Sequence, residues 1–380
     1  MGGAMRFFKY VGVCAIFVIM PNAPIEAAAA APPELRVPDG FSIETFYDDV
    51  PGARALARGD DGTIYVSTRE VGSIYALSDE DGNGQPDRRR VLAQGMTQPT
   101  GIAWHDGDLY VAEIDRIWRY PDIAKHLDSP QRESVRDDLP DATHHGWRYI
   151  AFGPDGKLYV AIGAPCNICE PDDFVRDGRT LQFGSITRMN PDGSEWEVYA
   201  RGIRNSVGFT WDDEGELWFT DNGRDWLGDD LPPGELNHAS GPGEHFGYPY
   251  CHGGTVPDPE FGKGRECDEF VAPVQALGPH VAPLGVKFYT GSQFPAAMRG
   301  QVFIAEHGSW NRSKRIGYRV TRVRLDDEGK GVEYVPFVTG WLDGERVRGR
   351  PVDLLVQPDG SMLVSDDALG RIYRVRYTGE

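Results

Sequence analysis

One short pattern of apolar and polar residues recurs six times along the chain. In each copy a glycine follows a polar residue, and an apolar run, usually with an aromatic residue in its middle, begins two positions later. The copies are DGTIYV from Asp61, DGDLYV from Asp106, DGKLYV from Asp155, EGELWF from Glu214, RGQVFI from Arg299 and DGSMLV from Asp359. An Asp-Gly pair supplies the positive φ angles of a tight hairpin turn, and the alternating residues after it form a strand. The pattern therefore predicts six similar hairpins.

The spacing of these hairpins predicts a repeat architecture. Consecutive copies lie 45, 49, 59, 85 and 60 residues apart, with one long insertion between the fourth and the fifth. One hairpin cannot bury its own face, but four-stranded units arranged radially can. No long stretch repeats apolar residues at helical spacing, and Gly (47), Pro (28) and aromatic residues (11%) are abundant, as is typical of short strands joined by turns. We predict an all-β, six-bladed β-propeller; a pair of β-sandwiches with coincidental turns is the alternative.

Equivalent strands in a propeller send the segments that follow them to one end of the central channel. These segments are STRE after Val66, AEID after Val111, AIGAPC after Val160, TDNGRD after Phe219, AEHGSW after Ile304 and SDDALG after Val364. Their polar and ionisable residues include Glu113, Asp115, Asp221, Asn222, Glu306, His307, Asp366 and Asp367. Binding sites are commonly built from loops on a rigid scaffold, so we predict a ligand site at this mouth.

The amino terminus has the order of residues found in a secretory signal peptide. Arg6 and Lys9 precede a short apolar run, and small residues follow from Ala27. An apolar run of about ten residues is too short to cross a bilayer. We expect residues 1–28 to be removed, with an approximate cleavage point, and residues 29–380 to form a single propeller domain. The mature protein is then periplasmic and without stable membrane insertion; a retained anchor helix is the alternative.

Basic residues stand in clusters although the chain is acidic overall. The net charge of −19 argues against a nucleic-acid partner, because phosphates need a basic surface. An anionic ligand would need local arginines, which bind planar carboxylates or phosphates in bidentate fashion. The clusters are ARGIRNSVGFTWD (200–212) with Arg204 and Asn205, HGSWNRSKRIGYRV (307–320) with Trp310, Asn311, Arg312, Lys314 and Arg315, and RVRGRPVD (346–353) with Arg346, Arg348 and Arg350. Salt bridges to surrounding acids are the alternative.

Two histidines, His144 and His145, precede the third hairpin together with Arg148. A positioned neutral imidazole can remove a proton from a hydroxyl group near neutral pH. The segment therefore offers a general base; a structural, hydrogen-bonded pair of histidines is the alternative.

Four cysteines remain once Cys14 has left with the predicted signal peptide. An even number of cysteines in an oxidising compartment favours disulfides, although three pairings are possible. Zinc is a weaker interpretation because CxxC occurs once, and no histidine follows the motif as covalent haem requires. The simplest pairing joins Cys166 with Cys169 and Cys251 with Cys267.

Acidic loops supply oxygen ligands suited to calcium. The stretch DEDGNGQPD (79–87) places side-chain oxygens at alternate positions, with Gly84 at the sharp turn. Arg90 stands where an EF-hand has its bidentate glutamate, so the loop is partial. Its predicted calcium ligands are Asp79, Asp81, Asn83 and Asp87. A solvated acidic turn is the alternative, and a second acidic group, residues 221–236, suits a metal at the predicted mouth.

Together these motifs resemble the soluble, pyrroloquinoline quinone (PQQ) dependent glucose/sorbosone dehydrogenase family, and the sorbosone type more than glucose dehydrogenase. The likeness extends from about Leu35 to Tyr377. Its most specific pieces are THHGWRYIAFGPDGKLYVAIG, ARGIRNSVGFTWD, APLGVKFYTGSQFP followed by FIAEHGSWNRSKRIGYRV, and RGRPVDLLVQPDG. The resemblance implies a six-bladed propeller with PQQ over the channel mouth.

The resemblance also implies roles for individual residues. The family's catalytic base is a histidine four residues before an arginine, which matches His144 and Arg148, and its RN pair matches Arg204 and Asn205, with Arg204 stabilising charge on the quinone. Calcium beside PQQ is held partly by backbone oxygens in the family. The matching positions are Gly223 and Arg224 for calcium, Arg348 and Arg350 for PQQ, and Lys314, with Arg312 as a competitor, for the lysine that contacts PQQ.

Two departures from the family pattern concern the substrate. Val207 stands where the glucose-oxidising relatives have glutamine, and Ala164 stands where they have aspartate, so glucose is not the expected preferred substrate. We expect a periplasmic quinoprotein that oxidises the C1 hydroxyl of an aldose or sorbosone-type sugar by hydride transfer to PQQ and passes electrons to an external acceptor, soluble or in the membrane. A calcium-dependent propeller lactonase and a non-catalytic binding propeller are the alternatives.

Overall fold

Six four-stranded antiparallel sheets form the fold, and the chain is all-β, with 40% strand and 3% helix. The computed structural model describes residues 33–176 and 178–379. The sheets are the blades of a propeller, which confirms the predicted all-β, six-bladed β-propeller. The predicted signal peptide, residues 1–28, lies outside the described residues. No helix among the described residues is long and apolar enough to cross a membrane.

The strands of the first three blades follow one another along the chain, after β1 (Phe41–Tyr47), which belongs to the last blade. Blade 1 contains β2 (Leu56–Arg58), β3 (Ile64–Val66), β4 (Ile74–Ser78) and β5 (Arg88–Ala93). Blade 2 contains β6 (Gly101–His105), β7 (Asp108–Ala112), β8 (Ile117–Tyr120) and β9 (Glu133–Arg136). Blade 3 contains β10 (Ile150–Phe152), β11 (Leu158–Ile162), β14 (Ser185–Met189) and β15 (Glu197–Arg201), with the hairpin β12 (Val175–Arg176) and β13 (Arg179–Thr180) between them.

The remaining blades carry the longer insertions. Blade 4 contains β16 (Phe209–Trp211), β17 (Leu217–Asp221), β18 (Pro233–Ala239) and β21 (Gln275–Pro279), with the hairpin β19 (Cys251–His252) and β20 (Val256–Pro257) inserted. Blade 5 contains β22 (Pro283–Phe288), β23 (Val302–Glu306), β24 (Arg319–Leu325) and β25 (Gly331–Val338). After the hairpin β26 (Leu342–Asp343) and β27 (Arg346–Val347), blade 6 contains β28 (Pro351–Val356), β29 (Met362–Asp366) and β30 (Arg371–Tyr377). Short 3-10 helices cover Ile123–Lys125, Pro171–Asp173, Cys267–Glu269 and Ala296–Met298.

The ring closes through its amino-terminal strand. Strand β1 pairs antiparallel with β30, with Phe41 opposite Tyr377, and so becomes the outermost strand of blade 6. The Phe41 ring packs edge-on against Phe294 and Phe337, with centroids 4.9 and 5.1 Å apart. First strands of neighbouring blades contact one another, as β6 does with β2 and β10, and β28 does with β22 and β2. The end of each first strand that faces the channel mouth is therefore held on a rigid ring.

Each of the six recurring motifs forms the turn and second strand of one blade. All six glycines have positive φ, but only Asp106, at 49°, has positive φ among the residues that precede them. The prediction that both members of the pair take positive φ is therefore wrong for five turns. In blade 1, Gly62 N–H donates to the Gly59 carbonyl, and Gly59 N–H donates to the Thr63 carbonyl, so this hairpin loop is longer than two residues. Such loops need only one left-handed residue.

The structure pairs the four cysteines as Cys166–Cys169 and Cys251–Cys267, the simplest of the three pairings. The second disulfide fastens the long insertion of blade 4, because it joins β19 to the 3-10 helix that precedes β21. Its cysteines are 16 residues apart in sequence, compared with 3 for the first disulfide.

Removal of the larger disulfide is expected to destabilise the protein measurably. Opening a loop of this length by Cys251→Ser with Cys267→Ser should lower the free energy of unfolding by about 3 kcal/mol, mainly because the unfolded chain gains freedom. Urea unfolding under non-reducing conditions measures the difference. The matched control, Cys166→Ser with Cys169→Ser, opens a much shorter loop and should lose less. Equal losses of unfolding free energy in the two variants would contradict the assignment of the larger stabilisation to the Cys251–Cys267 disulfide.

Candidate functional site

A cavity of about 360 Å³ opens at the channel mouth. It lies where the first strands of the blades begin and the second strands end. Ligand pockets usually measure roughly 300–1,000 Å³, so the cavity has the size of a small-molecule site. Its polar lining residues are Arg54, Arg69, His144, His145, Arg204, Asn205, Asn222, Asp225, His280, His307 and Arg350.

The polar residues that follow the second strands divide between the cavity and the scaffold. Asn222 and His307 line the cavity. Glu306 is fully buried and accepts a hydrogen bond from Arg319 Nε at 2.7 Å. Asp366 accepts three backbone N–H groups. Buried carboxylates at strand ends therefore also fix the loops of the mouth.

His145 has a buried ring at the edge of the cavity. Its Nδ1 lies 2.9 Å from the carbonyl oxygen of Ala164, which can only accept, so Nδ1 carries the proton and Nε2 is the unprotonated nitrogen. Burial, followed by the positive charge of Arg204, lowers the pKa of His145 well below its usual value. A Cβ at Gly163 would lie 2.7 Å from that of His145, so glycine is needed at this position.

His144 lies beside His145 and is more exposed, with the two ring centroids 4.1 Å apart. Its ring makes no hydrogen bond to any residue in the described part of the chain. Partial burial and then the Arg204 guanidinium lower the pKa of His144, while Asp225 raises it. His144 is therefore a neutral imidazole at pH 7 whose nitrogens are available to a ligand.

Arg148 is a scaffold residue rather than a lining residue. Its side chain is 0% exposed, and it donates from Nε to the Ile114 carbonyl at 3.0 Å and from Nη2 to the Pro140 carbonyl at 2.5 Å. These bonds anchor the segment that carries both histidines.

Arg204 is held rigidly with most of its donors occupied. Its Nε donates to the Asn167 carbonyl at 2.8 Å, and its Nη2 donates to Asn167 Oδ1 at 2.8 Å and to Asp225 Oδ2 at 3.2 Å. Nη1 donates to the Asn222 carbonyl at 3.1 Å. A guanidinium has five N–H groups, so one N–H on Nη1 remains for a ligand in the cavity. Burial lowers the pKa of Arg204, although Asp225 opposes the shift.

Asn167 holds Arg204 and has no sequence signal of its own. It stands inside the CNIC loop that the Cys166–Cys169 disulfide closes. Besides its bonds to Arg204, its Oδ1 accepts the Asp225 N–H at 2.9 Å. Tyr248 also supports the loop, because its hydroxyl accepts the Cys169 N–H at 3.1 Å. The disulfide loop therefore orients the arginine at the cavity.

Asp221, at the end of β17, fixes the turn that presents the RN pair. Its carboxylate accepts the backbone N–H of Arg204 at 2.8 Å and that of Asn205 at 2.6 Å. Burial raises the pKa of Asp221, and burial together with the Asp221 charge raises the pKa of Glu235. Asn205 Oδ1 is buried without a hydrogen-bond partner among the described residues. Buried polar atoms usually have a partner, so this amide can serve a ligand.

Arg54 and Arg350 bring further positive charge to the cavity. Arg54 Nη1 lies 2.7 Å from Asp367 Oδ2, and His307 Nε2 lies 2.9 Å from Asp367 Oδ1. Arg350 donates from Nε to the His307 carbonyl at 3.1 Å and from Nη2 to the Gly308 carbonyl at 3.2 Å. Within the described chain Arg350 has no salt bridge, so its charge is available to an anionic ligand.

Neither Arg54 nor Arg69 belongs to the arginine clusters that stand out in the sequence. Arg69 stacks its guanidinium over the Trp147 ring at 5.1 Å. Arg54 stands two residues before the first strand of blade 1, as Arg148 does in blade 3, but Arg148 is a buried scaffold residue. Position in the repeat therefore does not by itself identify a lining arginine.

Three residues assigned to PQQ do not line the cavity. Arg312 is tied to the Asp229 carbonyl at 3.0 Å and to Asp230 Oδ1 at 2.9 Å, and Lys314 is exposed. Arg348 is paired with Asp343 at 3.0 Å. Their assignment to PQQ stays a prediction without support from this arrangement, because neighbouring carboxylates already engage the two arginines.

The two positions assigned to calcium at the mouth offer backbone oxygens. Gly223 lines the cavity, and the carbonyls of Gly223 and Arg224 accept no hydrogen bond from the described residues. The Arg224 side chain turns away and pairs with the buried carboxylate of Asp258 at 2.6 Å. The donor set fits a calcium ion, which takes carbonyl and carboxylate oxygens, with Asp225 also at hand.

The predicted partial calcium loop lies apart from the cavity. The carboxylate oxygens of Asp79, Asp81 and Asp87 come within 4.8 Å of one another. Asp79 accepts the backbone N–H groups of Gly82, Asn83 and Gly84, at 2.7 to 3.1 Å. These bonds hold the acidic turn without an ion, so calcium at this loop stays a prediction.

The structural neighbours of this fold are PQQ-dependent pyranose and aldose sugar dehydrogenases and members of carbohydrate-active enzyme family AA12. The family model for TrAA12-like proteins matches residues 35–378, and the chain belongs to this TrAA12-like family.

Individual similarities support this membership. The chain is 32% identical to an uncharacterized protein of Borreliella burgdorferi, over 90% of this chain and 91% of that protein. It is 27% identical to a pyrroloquinoline quinone-dependent pyranose dehydrogenase of Coprinopsis cinerea, over 95% of this chain and 56% of that protein. The holo structure of the Coprinopsis cinerea pyranose dehydrogenase PQQ domain has a TM-score of 0.74 at 21% identity and covers 90% of this chain and 97% of that domain.

Proposed function

We propose that this protein is an exported, PQQ-dependent sugar dehydrogenase that oxidises the C1 hydroxyl of an aldose or sorbosone-type sugar. The observation that carries the proposal is the cavity itself, where arginines and two histidines with lowered pKa values meet in a chain of net charge −19. Sugar dehydrogenase relatives with PQQ support the reaction class. Export to the periplasm rests on the amino-terminal pattern, and the electron acceptor is external.

The residues at the mouth fit PQQ. Its three carboxylates need cations, and Arg350 offers a guanidinium without a salt bridge among the described residues. Asn205 offers a buried amide oxygen without a partner, suited to a ring N–H group. When bound, PQQ supplies an ortho-quinone that accepts two electrons from the sugar.

Residues of the chain itself would supply the proton acceptor, the stabilisation of charge and the calcium ligands. His144 accepts the proton of the C1 hydroxyl, because its imidazole is neutral at pH 7 and free of hydrogen bonds to the described residues. Arg204 lines the cavity, and its remaining N–H on Nη1 would stabilise negative charge on a cofactor oxygen. Carbonyls of Gly223 and Arg224 would hold calcium, which adds Lewis acidity at the same place.

The apolar floor of the cavity bears on the choice of sugar. Val207 packs with Leu284 and Val352, and Trp147 covers this cluster. Leu284 and Trp147 line the cavity, so one side of the bound sugar meets apolar groups. Val207 lies in this cluster in place of the glutamine of the glucose-oxidising relatives, which supports a substrate other than glucose.

The test of the cofactor assignment compares two arginines in the same segment. Titration calorimetry of PQQ into the full chain with calcium present should give specific binding, which Arg350→Ala weakens at least tenfold because a charge-assisted hydrogen bond is lost. Arg348→Ala is the matched control and should bind as the unchanged protein does, since Arg348 pairs with Asp343. Equal weakening in both variants, or no PQQ binding at all, would contradict the proposed site.

A further inference from the structure

Two tryptophans stand exposed at the rim of the cavity. The side chains of Trp226 and Trp310 are 68% and 66% exposed, the highest exposures among the large apolar residues of the described chain. Their rings meet edge to face, with centroids 5.4 Å apart and planes at 83°. Large aromatic side chains are normally buried, so a pair left in water marks an interaction site.

The pair connects the cavity to a second groove. Trp310 lines the central cavity. Trp226 lines an adjoining open groove of about 460 Å³, together with Asp229, Asn311 and Arg312. The cavity and the groove therefore meet at the two indoles, which contact each other.

The support beneath the pair is rigid. Trp226 has φ of 72°, a conformation that costs energy for a residue with a side chain and persists where surrounding contacts impose it. Arg312 Nε donates to the Asp229 carbonyl at 3.0 Å, and the Ser313 N–H donates to Asp229 Oδ1 at 3.0 Å. These bonds clamp the loop after β17 to the loop after β23. The exposed indoles are thus presented by two fixed loops.

The charges near Trp226 and Trp310 bear on which class of ligand can bind there. Asp225 pairs with Arg204 and Asp230 pairs with Arg312, so opposite charges largely balance at this rim, which favours a neutral ligand over a charged polymer or a charged lipid surface. A pyranose ring has an apolar face of C–H groups that packs on an aromatic ring, and hydroxyl groups at its edge that bond to carboxylates, amides and guanidinium groups. The groove provides both kinds of surface side by side.

We propose that Trp226 and Trp310 form an outer subsite for the pyranose rings of an oligosaccharide whose reducing end enters the cavity. This inference rests on the proposed sugar oxidation and adds a substrate class, namely short neutral glycans rather than single sugars. The inner ring is oxidised at C1, while the following rings lie across the two indoles towards Asn311 and Arg312.

The experiment uses the full chain with cellotriose and maltotriose as probes and glucose as the single-ring comparison. Titration calorimetry should show tighter binding of at least one trisaccharide than of glucose. Trp226→Ala should weaken that binding five- to tenfold, the loss expected from one aromatic contact. Trp226→Phe should restore most of it. The matched control is Leu231→Ala, a 44% exposed residue five positions along, which should change nothing.

Turnover separates this inference from the proposed function. In the PQQ-loaded protein, the ratio of kcat/KM for the trisaccharide to that for the monosaccharide should fall five- to tenfold in Trp226→Ala. Trisaccharide binding that depends on Trp226 without oxidation of any sugar would leave the subsite standing and overturn the dehydrogenase. Oxidation with no trisaccharide preference and no effect of Trp226→Ala would overturn the subsite. An effect of Trp226→Ala only on the dependence on a protein electron acceptor would also overturn it, because the indoles would then serve acceptor docking.

Discussion

Replacement of His144 by glutamine is expected to lower kcat for sugar oxidation by about a hundredfold or more, as loss of a general base does. Glutamine keeps a polar side chain of similar length but cannot take a proton near neutral pH. Because the His144 ring makes no hydrogen bond to the described residues, the fold and PQQ affinity should change little. Stopped-flow dye reduction, with PQQ titration as the binding check, measures both quantities.

The pH profile gives the same prediction a second readout. Partial burial and the Arg204 charge lower the pKa of His144 from 6.5. A base works when unprotonated, so a lowered pKa keeps activity as pH falls, and kcat/KM should decline only below pH 6.5. In His144→Gln this acid limb should disappear.

His145→Gln is the informative comparison for His144→Gln. Its Nδ1 is engaged by the Ala164 carbonyl, so we expect a loss that comes from displaced packing rather than from a missing base, with the acid limb retained. Loss of the acid limb in His145→Gln, with the limb retained in His144→Gln, would instead identify the buried histidine as the base.

Arg204→Lys is the second change with a large expected effect. Lysine keeps the positive charge but cannot reproduce the fork that bonds Asn167, Asn222 and Asp225 and leaves one N–H for the ligand. Loss of one such preorganised donor costs about 10²–10³ in kcat. The measurement is kcat at saturating sugar in the PQQ-loaded protein, with circular dichroism to confirm that the propeller is intact.

Asn167→Ala tests whether orientation of Arg204 matters. The guanidinium then loses the side-chain acceptor of Asn167 but keeps Asn222 and Asp225, so kcat should fall less than in Arg204→Lys and KM should move little. If Arg204→Lys retains near-normal kcat, Arg204 has no part in charge stabilisation.

Much of the fold could be predicted from the sequence because the patterns that mark the strands are local in the chain. The glycine turn and the apolar run after it mark the second strand of every blade, and six such marks along one chain favour a radial array. Closure of blade 6 by β1 could not be read in the same way. The strand FSIETFY has no turn motif, and its partner near Tyr377 lies at the far end of the chain.

The sequence predicts a cavity residue correctly where a recognisable motif also lies next to the end of a strand that faces the channel mouth. His144, Arg204, Asn205, Gly223 and Arg350 meet at the cavity because each lies within six residues of the start of a first strand or the end of a second strand. Arg348 and Arg312 occur in the same clusters but point to Asp343 and Asp230, and cluster spacing cannot separate such neighbours.

The site residues that the sequence did not predict are positioned by the structure of the loops. The orientation of Asn167 follows from a disulfide loop that bonds to Tyr248, and the edge-to-face contact of Trp226 with Trp310 joins loops of two blades. Neither contact has a period or spacing to reveal it.

Dye reduction by the purified mature protein, with a panel of aldoses and with or without PQQ and calcium, tests the central claim most directly. We predict reduction only when PQQ and calcium are both present, with sugars other than glucose preferred. Lactone hydrolysis supported by calcium alone, in a protein that does not bind PQQ, would contradict the claim and leave the propeller as a hydrolase.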